Sequence, residues 1–443
     1  MASDVAAPGL GTVQVIDLKA SRRALIAGSL GNIIEWYEFA IYGYMAPIIA
    51  PLFFPSDNPT TSLLSTFTIF AVAFFMRPLG AVIFGRLTDK LGRRPVLVAI
   101  IVMMSGATAL IGLLPTTATI GIWAAIALVI LRVAQGLSGG GEMGGAVSLM
   151  VENAPEGKRG LYGSWSFFGT TFGFVIGGGV ATLLAVLLSP ADLADWGWRI
   201  GFLLAAPMGI IALFIRLKVD ETPHFKLIQA EREAGTLKQA PSAIKYSLSY
   251  LLITIGVLVV YNAVGNTFQV GMPSYLSTAY DMSFVEAYGL SLVTGLTGAL
   301  TMPLFGWISD KVGRAPVLLV GTVATLVLSY PLYALIETGF AGGLVSLFVA
   351  GLLIGVLGGP LPAFLSERFP TRNRATGVAV TYAIAVAVFG GSAPYIITAI
   401  YQATGNPLAA AFYTIGVAAL SVIAHIAWRF SRNRNEHLKP LVD

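Results

Sequence analysis

Apolar stretches of eighteen or more residues recur from one end of this sequence to the other. A run of that length can cross the hydrocarbon core of a bilayer as a helix, which makes the chain a polytopic membrane protein. Twelve spans are read: 24–50, 63–86, 95–114, 120–151, 160–188, 198–217, 248–276, 285–308, 316–336, 341–365, 375–400 and 407–428. Of 443 residues, 56% are hydrophobic and only 11% charged. A soluble domain carries about 25% charged residues, so a soluble fold with a large core is excluded. The 50 glycines and 23 prolines suit membrane helices, where both are commoner than in soluble ones. With no cysteine, disulfides, thiol nucleophiles and cysteine metal sites are excluded too.

The placement of basic residues sets the expected orientation. Lys19, Arg22 and Arg23 precede the first span, and Arg86, Lys90, Arg93 and Arg94 fill the second-to-third loop. Alternate loops continue the pattern with Lys158 and Arg159, then the stretch from Arg216 to Lys245, then Lys311 and Arg314, then Arg368, Arg372 and Arg374. The intervening loops contain no lysine or arginine, and of 27 basic residues only Arg77, Arg132 and Arg199 fall outside the pattern. By the positive-inside rule both termini are expected in the cytoplasm. The net charge of +5 is therefore a topology signal and not a nucleic-acid-binding one. Residues 1–18 lack a signal-peptide layout, so the first span is expected to act as its own insertion signal.

The two halves repeat. Gly85-Arg-Leu-Thr-Asp89-Lys-Leu-Gly-Arg93 is echoed by Gly306-Trp-Ile-Ser-Asp310-Lys-Val-Gly-Arg314, each position offset by 221 (306−85, 310−89, 314−93). Glu152-x-x-Pro155 is echoed by Glu367-x-x-Pro370. The expected organisation is an N-terminal segment 1–23, a six-helix bundle 24–217, a linker 218–247, a second bundle 248–428 and a short tail 429–443. Two pseudo-symmetric bundles of this kind place a transport site at the repeat interface. In each repeated loop the glycines allow close helix approach, and Asp89 and Asp310 can accept hydrogen bonds from helix amino-terminal N–H groups. Gly85, Asp89, Arg93, Gly306, Asp310 and Arg314 are read as a gate that latches one conformation.

Ionisable groups inside the spans are the functional candidates, because charge in hydrocarbon costs several kcal/mol. Glu35 and Glu38 lie about 15–20 Å along the first span from its basic end, at about 1.5 Å per residue, and share one helix face. Together with Arg77, Arg132 and Glu142 they form a set of three carboxylates and two guanidiniums with a formal charge of −1. Two neighbouring carboxylates in low dielectric do not both stay ionised cheaply, so Glu35, Glu38 and Glu142 are the expected proton carriers. A guanidinium suits a substrate carboxylate because its planar fork gives parallel hydrogen bonds. Arg132 is the first choice for that contact and Arg77 the second. Asn32, Tyr37, Tyr261, Asn262, Asn266, Gln269 and Tyr382 are read as further substrate contacts, with 262, 266 and 269 on one face. Gly355–Gly359, Pro360 and Pro362 are expected to break the tenth span, and Pro273 the seventh.

The repeated loops resemble those of the major facilitator superfamily. Gly31-Asn32-x-x-Glu35-Trp36-Tyr37-Glu38-Phe39, Arg77-Pro78-Leu79-Gly80, Gln135-Gly136-Leu137-Ser138, Trp196-Gly197-Trp198-Arg199 and Glu367-Arg368-Phe369-Pro370-Thr371 narrow the resemblance to its metabolite:H⁺ symporter family. The resemblance implies a twelve-helix, all-α transporter of the bacterial cytoplasmic membrane. It would couple inward proton flow to uptake of a small carboxylate or zwitterion by alternating access, as a monomer. No cofactor is expected beyond H⁺ itself, no metal, no nucleic acid and no enzymatic activity. Glu38 stands where this family usually has aspartate, and Ala315 where the first repeat has Arg94. Betaine and proline carriers of the family have a coiled-coil tail, and the residues after Trp428 show no heptads. The alternative function is proton-driven export of amphipathic compounds. Exporters of that kind carry a Gly-Pro-Gly motif in span five, where Gly169 to Gly179 here contains no proline.

Overall fold

In the computed structural model the described residues are 18–91, 93–140, 142–218, 248–369 and 374–434, and they form helices joined by short turns, with no strand among them. We number the long helices α1 (Leu18–Phe53), α2 (Pro59–Leu91), α3 (Arg93–Leu113), α4 (Ile122–Glu152), α5 (Arg159–Leu187) and α6 (Pro190–Phe214) in the first half. The second half holds α7 (Leu248–Ala279), α8 (Phe284–Val312), α9 (Arg314–Ile336), α10 (Phe340–Arg368), α11 (Arg374–Thr404) and α12 (Pro407–Phe430). Eleven of the twelve meet the length and hydropathy needed to cross a bilayer. The twelfth, α1, has 36 residues and at about 1.5 Å per residue outruns the roughly 30 Å hydrocarbon core, so it tilts or projects.

Where boundaries differ from the expectation, local chemistry explains why. Residues 189–197 read as a loop, yet α6 begins at Pro190. The Ser189 hydroxyl accepts from the Asp192 N–H at 3.1 Å, and Pro190 stands in the first turn, where its missing N–H costs nothing. A proline ring inside a helix clashes with the carbonyl four residues back. Accordingly α7 takes a wide π-turn over Thr267–Gly271 just before Pro273, and α11 does so over Val386–Gly391 just before Pro394. The tenth span is interrupted between Gly358 and Leu361, and α4 is interrupted between Ser138 and Glu142. Gly139 and Pro360 at these breaks keep the 221-residue offset of the repeated loops (360−139).

Within the first half α1 packs on α5, α2 on α4 and α3 on α6; within the second, α8 and α9 pack on α10 and α7 and α9 on α12. The halves meet along α5 against α8 and α2 against α11, two contacts that exchange under the internal repeat. Glycine permits the closest approach: a Cβ at Gly160 of α5 would sit 2.4 Å from the Gly306 carbonyl of α8, and one at Gly306 would sit 2.6 Å from the Gly160 carbonyl. The buried centre between these helices is therefore shared by both halves. The surroundings of Gly85 and the side chains of Asp89, Arg93 and Glu142 are not described, nor are residues 1–17, 92, 141, 219–247, 370–373 and 435–443.

Candidate functional site

The helical register of α1 sends Glu35 and Glu38 to neighbouring but distinct partners, and both are almost fully buried, at 3% and 1% exposure. Glu35 forms an ion pair with Nη2 of Arg77 on α2, itself 2% exposed. The Arg77 Nε–H donates to the Gly139 carbonyl at 3.0 Å, so the guanidinium also closes the break in α4. Its plane lies 4.8 Å from the Trp36 ring centroid and 4.9 Å from that of Phe39, and Nη1 has no hydrogen-bond partner. Trp36 meets Tyr382 of α11 edge to face at 6.3 Å, and a Cβ on Gly391 of α11 would lie 2.7 Å from Phe74 of α2. The ion pair thus faces the second half across one layer of rings.

Glu38 turns the other way, into the first half. Its carboxylate accepts from the Ser105 hydroxyl at 2.5 Å and the Thr108 hydroxyl at 2.8 Å, both on α3. The Gln135 Nε2–H donates to Thr108 Oγ1 at 2.5 Å, and Gln135 Oε1 accepts from Arg132 Nη1 at 2.8 Å. A continuous hydrogen-bonded chain therefore runs from Arg132 through Gln135 and Thr108 to Glu38. The Arg132 guanidinium lies over the Tyr42 ring at 4.1 Å, flanked by Phe70 at 5.5 Å and Phe39 at 5.6 Å. No described carboxylate lies within ion-pair distance of it.

The two arginines, ranked Arg132 before Arg77 from sequence, sit in different surroundings. Arg77 is the guanidinium that faces the opposite half, whereas Arg132 is held inside the first half by Gln135 and three rings. Asn32 and Tyr37, expected at the substrate, each donate to a helix carbonyl: Asn32 Nδ2 to that of Ser166 at 2.9 Å and the Tyr37 hydroxyl to that of Gly201 at 2.6 Å. Tyr261 and Tyr382 do reach the centre, where both pack on Phe167 of α5 at 4.9 and 5.6 Å. On α7, Asn262 donates to the Leu258 carbonyl at 3.1 Å, Asn266 to the Asn262 carbonyl at 3.1 Å and Gln269 to the Gly265 carbonyl at 3.4 Å. Sequence reasoning did not place Ser105, Thr108 or Gln135 in the site, although Gln135 stood in a quoted motif. Gln135 carried a signal, one turn beyond Arg132 on the same face, but nothing in the order of residues tells which face of α3 meets α1.

Contacts link the two halves at both ends of the site. At the basic end Asp310 of α8 accepts from the Gly160 and Leu161 N–H groups, at 2.7 and 2.9 Å, and so caps α5 of the other half. Arg314 bridges Asp310 at 2.7 Å and Glu367 at 3.1 Å. Arg374 of α11 pairs with Glu152 of α4 at 2.8 Å, a second link between the halves. At the opposite end the Tyr288 hydroxyl of α8 donates to the Tyr44 carbonyl of α1 at 2.7 Å.

Twelve long helices in two repeated halves, meeting around buried charge, have the architecture of a membrane transporter. The profile of the Major Facilitator Superfamily matches residues 28–394, and the chain belongs to that family. It is 38% identical to the proline/betaine transporter of Escherichia coli (strain K12), over 96% of this chain and 87% of that one. It is 35% identical to the ectoine/proline transporter ProP of Corynebacterium glutamicum, over 97% and 87%. Among solved structures it resembles a D-xylose-proton symporter with TM-score 0.71, at 19% identity and covering 91% of this chain and 96% of that one. The xylose transporter XylE from E. coli also gives TM-score 0.71, at 22% identity over 93% and 98%. At such identities these structures speak for the fold alone.

Proposed function

We propose that this protein takes up a small zwitterionic solute together with a proton, by alternating access, with Glu35 as the coupling acid and Arg77 as the carboxylate-binding group. The observation that carries the reading is the Glu35–Arg77 ion pair, buried on α1 and α2 and turned towards Tyr382 of the second half. In that pair the guanidinium is occupied by the protein's own carboxylate. A proton on Glu35 removes that negative partner, and the substrate carboxylate takes its place as the bidentate acceptor of Arg77. Solute and proton then favour each other's binding, which is coupling in its simplest form. The named substrates of the relatives, proline, betaine and ectoine, support a zwitterion over a di- or tricarboxylate.

Trp36, Phe167, Tyr261 and Tyr382 offer ring faces to the cationic end of such a solute. The Glu38–Thr108–Gln135–Arg132 chain fixes α1 against α3 and α4, so the first half moves as one body. Opening at the basic end requires Asp310 to leave the α5 N-terminus and Arg374 to leave Glu152; opening at the other end requires Tyr288 to leave Tyr44. With the basic end in the cytoplasm of a bacterial cell, one chain carries both halves of the site and works as a monomer. A zwitterion moving with one proton carries one net charge, worth about 2.3 kcal/mol per 100 mV of membrane potential.

The test is uptake into proteoliposomes with an imposed inward proton gradient, over a panel of zwitterions and carboxylates. The wild type should accumulate a zwitterion only with the gradient. Glu35→Gln should lose accumulation while retaining counterflow exchange. Full gradient-driven accumulation by Glu35→Gln would remove Glu35 from the coupling role.

A further inference from the structure

We propose that the site selects zwitterions whose cationic nitrogen carries N–H groups over their fully N-methylated counterparts, and that Asn266 and Gln269 on α7 make the selection. The inference rests on the zwitterion reading above and goes beyond it by naming which cation is recognised.

Buried polar atoms without hydrogen-bond partners stand on both sides of the junction of the halves. On the first half they include two donors, the Trp36 Nε1–H and Arg77 Nη1. On α7 they include two amide acceptors, Asn266 Oδ1 and Gln269 Oε1, on side chains only 5% and 2% exposed. The orientation of these amides is fixed by chemistry. Each directs its NH₂ at a carbonyl of its own helix, Asn262 and Gly265 respectively, and only the nitrogen end can satisfy a carbonyl. The oxygens are therefore presented to the interior as acceptors.

Both side chains lie at the junction. Asn266 Nδ2 would be 2.8 Å from a Cβ on Gly390, whose neighbour Gly391 stands against Phe74 beside Arg77. Val270, next to Gln269, fills the space over Gly43 of α1, and Gln269 Oε1 itself would be 3.5 Å from a Cβ on Gly295 of α8. Donors on one side and acceptors on the other describe a ligand lying across the interface, its carboxylate towards Trp36 and Arg77 and its cation towards α7. The ring faces of Trp36 and Tyr382 attract any cation, methylated or not. The amide oxygens do not, because a quaternary ammonium has no hydrogen to give them and leaves them buried and unpaired. Leaving one buried acceptor unmade is a large enough cost to give at least about tenfold discrimination, equal to about 1.4 kcal/mol.

The experiment compares matched pairs that share a carboxylate and differ at nitrogen, L-proline against N,N-dimethyl-L-proline and N-methylglycine against N,N,N-trimethylglycine. Each is measured as a competitor and as a tracer in gradient-driven uptake by wild-type proteoliposomes, then by Gln269→Met, Asn266→Leu and the double variant. The wild type should favour the N–H member of each pair by at least about tenfold, and the double variant should bring the ratio close to one. A ratio is read within one preparation, so reduced folding of a variant does not alter it, and the wild-type ratio decides even if a variant is lost. A wild-type ratio near one, or a ratio that survives in the double variant, overturns the inference and leaves the symporter reading standing. Failure of every member of both pairs to accumulate with the gradient defeats the zwitterion reading and this inference with it.

Discussion

Replacing Asp310 by asparagine should unlatch the basic end. Asp310 accepts two backbone N–H groups at the start of α5, at 2.7 and 2.9 Å, and pairs with Arg314 at 2.7 Å. Asparagine keeps one acceptor oxygen, so one charge-assisted hydrogen bond is lost, at about 1.5–3 kcal/mol. The ion pair with Arg314 lies within the second half and does not enter the balance between closed and open. A net shift of about 1.5–3 kcal/mol moves the closed-to-open ratio by roughly 10- to 150-fold. The chain has no cysteine, so introduced thiols report without background. Spin labels at Glu156→Cys and Val312→Cys sit on exposed positions in opposite halves at that end. Pulsed dipolar spectroscopy should find a short distance in the parent and a substantial longer population with Asp310→Asn. Distance distributions that superimpose would refute the argument that this carboxylate holds the halves together.

Other substitutions probe the remaining contacts. Gly160→Val should abolish uptake while the protein still inserts, because its Cβ would meet the Gly306 carbonyl at 2.4 Å; the same spin-label pair should report an end that no longer closes. Gln135→Leu should lower the thermal unfolding midpoint through a loss of about 1–3 kcal/mol, as Arg132 and Thr108 lose their bridge. The proton-to-solute ratio should be unchanged in that variant, and an altered ratio would contradict its assignment to packing. Tyr288→Phe removes the bond to the Tyr44 carbonyl and should speed exchange at the non-basic end by several-fold, the equivalent of about 1 kcal/mol, in a counterflow assay.

Much of the architecture was legible because lipid leaves few choices. Span positions follow from hydropathy, and the structure moves most ends by only a few residues. The exception, α6, starts early because Ser189 and Pro190 form a helix start that hydropathy does not see. The repeat was legible from the offset of 221 and reappears in the paired breaks of α4 and α10. Charge was legible as a set but not as a wiring diagram. Glu35 and Glu38 are three apart on one helix, yet one meets α2 and the other α3, because the rotation of α1 against its neighbours is decided by packing. For the same reason sequence alone ranked Arg132 before Arg77 as carboxylate binder without showing that Arg77 pairs with Glu35 and Arg132 with Gln135. Asn32 and Tyr37 read as site residues because buried polar groups in membranes often are; here each ties α1 to a carbonyl within its own half.

The central claim is that one proton crosses with each solute molecule. In lightly buffered proteoliposomes clamped at zero membrane potential, a pH electrode in the external medium should register alkalinisation when the zwitterion is added. It should match solute entry one for one, and it should vanish with Glu35→Gln. Solute entry at an undiminished rate with no movement of the external pH would contradict the account.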